Sequence, residues 1–144
     1  MSNTTIDDRD IRIMNTLRVV VEDVPPVTGT RMAAAVAIRG TVLSMGNNQL
    51  RTHPFAARFG KNSDALFWHA ETKAIHSFIR KHHPDDLQKA TMYVIRIKRP
   101  HGNNRKWIMG MARPCKGCLS CIQDFGIPRM IYSNADDMLT CEHV

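Results

Sequence analysis

The chain has 144 residues, 43% of them hydrophobic and 23% charged, with a net charge of +7. These are ordinary globular values, at a length that builds a core without disulfide staples, so a single domain over residues 1–144 is expected. No apolar run is long enough to span a bilayer as a helix and the first residues do not read as a signal peptide, so the cytoplasm is the expected location.

In chain order, Thr5 can cap a first helix whose positive end carries Asp7, Asp8 and Asp10. Ile6, Ile13, Leu17, Val20 and Val24 recur at helical spacing, and Pro25-Pro26 stops the run. Residues 1–26 thus form an N-terminal helix and linker, read as packing without chemistry. Ala33 to Ile38 and Thr41 to Met45 are β-prone runs joined at Arg39-Gly40, a hairpin. The second run ends in Gly46-Asn47-Asn48, where a Gly permits a sharp exit and an Asn amide can reach a ligand; an ordinary Asn-rich turn fits the tripeptide as well. Gln49 to Trp68 reads as a long irregular connection, rich in aromatics: Phe55, Phe59, Phe67 and Trp68. One or two of these are expected to reach a flat ligand, the rest to pack in the core.

His69 to His83 is the second predicted helix. Ala74, Ile75, Phe78 and Ile79 form its apolar stripe, and Pro84 closes it. His76, His82 and His83 read as surface residues. Thr91 to Lys98 is a strand, Pro100 to Asn104 a turn, and Lys106 to Ala112 a returning strand. Pro114 then opens a third helix whose buried face is Cys118, Leu119, Ile122 and Phe125, ended by Gly126. Ile127 to Ser133 and Met138 to Val144 are the last strands. The alternation gives an α/β sandwich, with a core over residues 33–144. Both chemistry-bearing helix starts should meet at one sheet edge.

The chemistry lies in His69-x-Glu71 and Pro114-Cys115-x-x-Cys118. Zinc takes nitrogen and sulfur ligands in a tetrahedron, and a catalytic site keeps one position open for water. His69, Cys115 and Cys118 supply three ligands, and Glu71 suits proton transfer better than ligation. Zinc lowers the pKa of bound water so that a hydroxide nucleophile exists at ordinary pH. The remaining cysteines, Cys121 and Cys141, read as small buried residues. Around this motif the charge is one-sided: between Leu87 and Gln123 stand eight Lys or Arg and no acid, which points to a phosphate-bearing ligand.

These residues, in this order, resemble the zinc-dependent cytidine deaminase superfamily. The Gly46-x-Asn48 strand end resembles the position of its ribose-contacting asparagine, and the short Asn134 to Asp137 turn resembles its terminal-hairpin members. The resemblance implies a three-layer α/β/α sandwich with a mixed central sheet of about five strands and one zinc per chain. It implies hydrolytic deamination of cytosine to uracil in a nucleoside or nucleotide, with Glu71 as proton shuttle and Asn48 on the substrate. Enzymes of this type often complete the pocket with a neighbouring copy, so a homo-oligomer is open. Two alternatives stay open: a single-stranded DNA or RNA cytosine deaminase, and a zinc-stabilised nucleic-acid-binding protein without activity.

Overall fold

The structure is a computed structural model that describes residues 5–49, 54–57, 68–99 and 106–144. Its first helix, α1 (Asp8–Val21), is capped by Asp7 rather than Thr5. The Asp7 carboxylate accepts the Asp10 amide at 3.0 Å, and the Asp10 carboxylate accepts the Asp7 amide at 2.9 Å. Two orphan donors are satisfied reciprocally, which Thr5 could not do alone. Strand β1 (Thr30–Ile38) turns into β2 (Thr41–Asn47) through Arg39 and Gly40, both with positive φ (53° and 81°), the two-residue turn that matches strand twist.

The short α2 (Pro54–Ala57) precedes α3 (Ala70–Ile79), which stops earlier than the expected His83. The amides of Lys81 and His82 both turn back to the Phe78 carbonyl, and Pro84–Lys89 forms a 3₁₀ turn. Strand β3 (Thr91–Lys98) is as expected. Then come β4 (Ile108–Met109), α4 (Lys116–Asp124), β5 (Arg129–Ser133) and β6 (Leu139–His143). The expected turn at Pro100 to Asn104 lies outside the described residues.

The sheet order is β2-β1-β3-β5-β6, with β4 on the free end of β3. It is mixed: β3 and β5 run parallel, and the other pairs are antiparallel. Among the described residues the sheet has six strands, in keeping with the expected mixed sheet of about five plus the short pairing of β4. It is short because β5 already occupies that flank of β3 from Thr91 to Val94, leaving only Ile97 and Lys98 for β4. Ser133 seals the joint: its hydroxyl donates to the Gly110 carbonyl at 2.9 Å and accepts the Arg96 amide at 3.2 Å.

Helices cover both faces. Ile13, Met14, Leu17 and Val21 of α1 pack on Ala33, Ala35, Tyr93, Ile95 and Ile131. On the other face, Ala74, Ile75 and Phe78 of α3 and Ile122 of α4 pack on Ala34, Val36, Met92, Val94 and Met130. Strand β1 is alanine-rich where both faces are covered, with Ala33, Ala34 and Ala35 fully buried. A half-turn of α1 is tied down by charge: Asp10 accepts from Arg129 at 2.7 and 2.9 Å and from the Tyr93 hydroxyl at 2.6 Å. No helix among the described residues is long and apolar enough to cross a membrane.

Candidate metal centre

Two helix starts build the site. His69 is the N-cap of α3 and Cys115 the N-cap of α4, and neither side chain caps its own helix. Both instead point at each other and at Cys118, one turn into α4. His69 Nδ1 lies 3.2 Å from Cys118 Sγ and 3.5 Å from Cys115 Sγ, and all three ligand atoms fall within 4.8 Å of one another.

Local bonding explains why these starts converge. The Gln49 amide donates to the Trp68 carbonyl at 2.9 Å, which sets His69 beside the end of β2. Gly46 lets β2 lie against the α3 backbone: a Cβ there would stand 2.5 Å from the Ala70 carbonyl oxygen. Its backbone is an ordinary strand, so close approach, rather than the sharp exit read from sequence, explains the glycine. The segment leading to Cys115 hangs from the sheet by Gly110 N to Arg96 O and Ala112 N to Ser133 O, each 2.8 Å. Pro114 is buried at the start of α4.

The donor set fits a zinc ion. Tetrahedral bonds of about 2.0–2.1 Å to nitrogen and 2.3 Å to sulfur place nitrogen and sulfur about 3.6 Å apart, close to the two spacings found. Two thiolates and an imidazole are a ligand set that suits zinc. The thiols are already polarised: a hydrogen bond from Cys118 draws the Cys115 pKa down to about 4, while the same bond, with burial, pushes Cys118 up. Glu71 is 2% exposed, and its Oε1 is buried without a hydrogen-bond partner. Burial raises its pKa, with His69 opposing. A buried orphan oxygen beside a three-ligand cluster is what an open fourth position would face.

The cluster opens onto a cavity of about 280 Å³ lined by Thr28, Thr30, Met32, Asn48, Glu71, Arg96 and Arg113, among others. Asn48 is at the wall, with its amide fixed by the β1 backbone: Oδ1 accepts the Met32 amide at 2.8 Å and Nδ2 donates to Thr30 O at 3.2 Å. One N–H and one lone pair remain. Of the four aromatics from Gln49 to Trp68, two are among the described residues. Phe55 and Trp68 are buried and flank the His76 ring at 5.1 and 5.7 Å, and neither is among the residues lining the cavity. His76 is half-buried in the last turn of α3, with one side against these rings. Phe59 and Phe67 lie outside the described residues. Cys121 is fully buried in the α3–α4 core, whereas Cys141 is only half-buried, on the α1 side.

Of the basic segment, Arg96 and Arg113 reach the cavity. Arg113 is bound by Glu142 of β6, Nε to Oε2 at 2.8 Å and Nη2 to Oε1 at 3.4 Å, and the Tyr132 hydroxyl donates to the same carboxylate. Sequence reading did not single out Arg96. Strand parity could have: Arg96 shares the face of Met92 and Val94, which lie beneath α3 and α4.

Comparison with known proteins agrees with this geometry. No curated sequence matches the chain significantly. A crystal structure of cytidine deaminase from Burkholderia pseudomallei shares the fold, with a TM-score of 0.61 at 16% identity over 99% of this chain and 93% of that one. The family described as cytidine and deoxycytidylate deaminase zinc-binding region matches residues 8–134, through both ligand-bearing helices. His69, Cys115 and Cys118 are positioned to bind one metal ion, and the family's zinc is the cofactor. The chain belongs to the cytidine and deoxycytidylate deaminase zinc-binding family.

Proposed function

We propose that the protein hydrolyses the exocyclic amine of cytosine in a nucleoside or nucleotide, with Glu71 carrying the protons. The observation that supports this most is the buried, partnerless Glu71 Oε1 beside the three-ligand cluster, in a cavity open to small molecules. His69, Cys115 and Cys118 would hold the metal. Zinc there supplies Lewis acidity that makes water a nucleophile near neutral pH.

Glu71 takes a proton from the attacking water and gives it to the ring nitrogen beside the amine, then takes the remaining proton of the added hydroxyl and gives it to the departing nitrogen. Water enters, ammonia leaves, and a carbon–oxygen bond replaces a carbon–nitrogen bond, so no oxidant or reductant is needed. Burial of Glu71 shields these transfers from bulk water. Asn48, rigidly held through β1, offers its spare N–H and lone pair to a sugar hydroxyl.

A single-stranded polynucleotide substrate is less well supported. Trp107, the tryptophan inside the basic segment, is stacked by Arg31 at 4.4 Å and Arg99 at 5.0 Å, on the α1 side of the sheet. It is already covered on the face away from the cavity. Glu71→Ala tests the proposal: zinc should stay at one per chain while ammonia release from cytosine nucleosides or nucleotides falls about 10²–10⁴-fold. Full turnover in that variant would remove Glu71 from the reaction.

A further inference from the structure

Arg96 is a cation at the cavity wall whose bonding is incomplete. Its Nε is buried without an acceptor. Its other contacts are long and to neutral oxygens: Nη1 to Met111 O at 3.3 Å and Nη2 to Thr30 Oγ1 at 3.4 Å. Among the described residues no carboxylate lies within ion-pair distance of it. Arg113, on the same wall, differs: Glu142 already neutralises it through two bonds. Of the two guanidiniums, it is Arg96 whose charge no described residue compensates. A half-buried guanidinium with no counter-ion attracts an anion, and a ligand that brings one supplies the missing partner.

The chain also makes room for this side chain. Gly110 lies under it, and a Cβ there would meet the Arg96 stem at 3.3 and 3.4 Å. The register sets Met32 opposite Arg96, so an apolar side chain and a guanidinium share the sheet face beyond the ligand cluster. Glu71, Asn48 and Arg96 line the same cavity, so a base at Glu71 and a sugar at Asn48 leave Arg96 for a group carried on the sugar. The cavity of about 280 Å³ is at the small end of ligand pockets, about 300–1,000 Å³, and suits one nucleotide better than a strand.

We infer that the substrate carries a phosphate monoester on its sugar and that Arg96 is the residue that recognises it. This deepens the proposed deamination and rests on it for the identity of the base. A guanidinium offers phosphate a two-point fork that it cannot offer a sugar hydroxyl, so recognition separates nucleotide from nucleoside. Its long bonds to Met111 O and Thr30 Oγ1 can be exchanged for charged ones.

The test compares kcat/KM for deoxycytidine, its 5′- and 3′-monophosphates and a short deoxycytidine oligonucleotide, in the zinc-loaded protein and in Arg96→Met and Arg96→Lys. Either monophosphate should exceed the nucleoside by about ten- to hundredfold, the range for a charged hydrogen bond. Arg96→Met should remove that preference, and Arg96→Lys should restore part of it. The ratio is taken within one preparation, so a smaller folded fraction cancels. Added salt should lower the ratio. A wild-type ratio near one, or a ratio unchanged in Arg96→Met, overturns the inference. Preference for the oligonucleotide over both monophosphates also overturns it, by assigning the phosphate to a strand. Calorimetric titration with deoxyribose 5-phosphate separates the two readings. If no cytosine compound is turned over, the deamination proposal fails, while binding of this sugar phosphate that is weakened at least tenfold in Arg96→Met still upholds Arg96 as the phosphate residue. Absence of that binding overturns it.

Discussion

Gly46→Ala should damage the metal centre without touching a ligand. The Cβ would stand 2.5 Å from the Ala70 carbonyl oxygen, 2.6 Å from the Ala74 amide nitrogen and 2.9 Å from Lys73 Cβ. Two of these are backbone atoms of α3 and cannot rotate away. Ordinary contact begins at 3.4 Å, so β2 and α3 must separate by about 0.9 Å. The hydrogen bond from Ser44 Oγ to Ala74 O, 2.8 Å, resists that separation. Overpacking of this kind costs about 1–3 kcal/mol, which lowers Tm by about 3–10 °C at this chain length. The start of α3 carries His69 and Glu71, and metal–ligand distances tolerate only about 0.2 Å. Zinc affinity should fall, and a displacement near 1 Å should lower turnover about 10²-fold. Chelator competition, thermal melting and ammonia release measure the three effects. The sign is decisive, because without the close approach alanine would stabilise a strand by about 0.5–1 kcal/mol over glycine. A variant that melts higher and holds zinc as tightly would refute the reasoning.

Cys115→Ser should lose zinc and melt lower, since metal binding is linked to folding; retained activity would overturn the ligand assignment. At the opposite end of β3, Asp10 is pulled towards neutrality by burial. Hydrogen bonds from Arg129, Tyr93 and the Asp7 amide more than offset this, holding its carboxyl below the usual range. Asp10→Asn leaves Arg129 without its carboxylate and should cost about 3–5 kcal/mol at neutral pH, read by denaturant unfolding. The folded carboxyl binds protons more weakly than the unfolded one. Its contribution is therefore complete above about pH 3.9 and is lost as pH falls below that. The stability gap between wild type and Asp10→Asn should narrow in that window, and a gap constant down to pH 2 would contradict the assignment.

What was legible in sequence is what local spacing encodes. His69-x-Glu71 and Pro114-Cys115-x-x-Cys118 are each a single helical turn, and Arg39-Gly40 is a complete turn. What was hidden depends on partners far along the chain. Asp10 and Arg129 are 119 residues apart, and nothing near Asp10 distinguishes it from Asp8. The basic segment illustrates the same limit. Its charges look continuous, but strand alternation sends Arg96 to the cavity and Arg99 to the Trp107 side. Glu142, which neutralises Arg113, arrives only through β6. The helix that was expected to run to His83 ends at Ile79 because its last amides turn back on Phe78, a geometry that periodicity does not reveal.

The alanines of β1 fix the thickness of the molecule at its middle. With methyl groups at positions 33, 34, 35 and 37, α1 and α3 can both settle close to one strand. Any larger side chain there would spread the layers and tilt the helix that presents His69. Substitutions at the rim, where Thr28, Thr30 and Met111 border the opening, do not disturb that spacing. What the mouth admits can thus be altered without moving the helix starts that hold His69, Cys115 and Cys118.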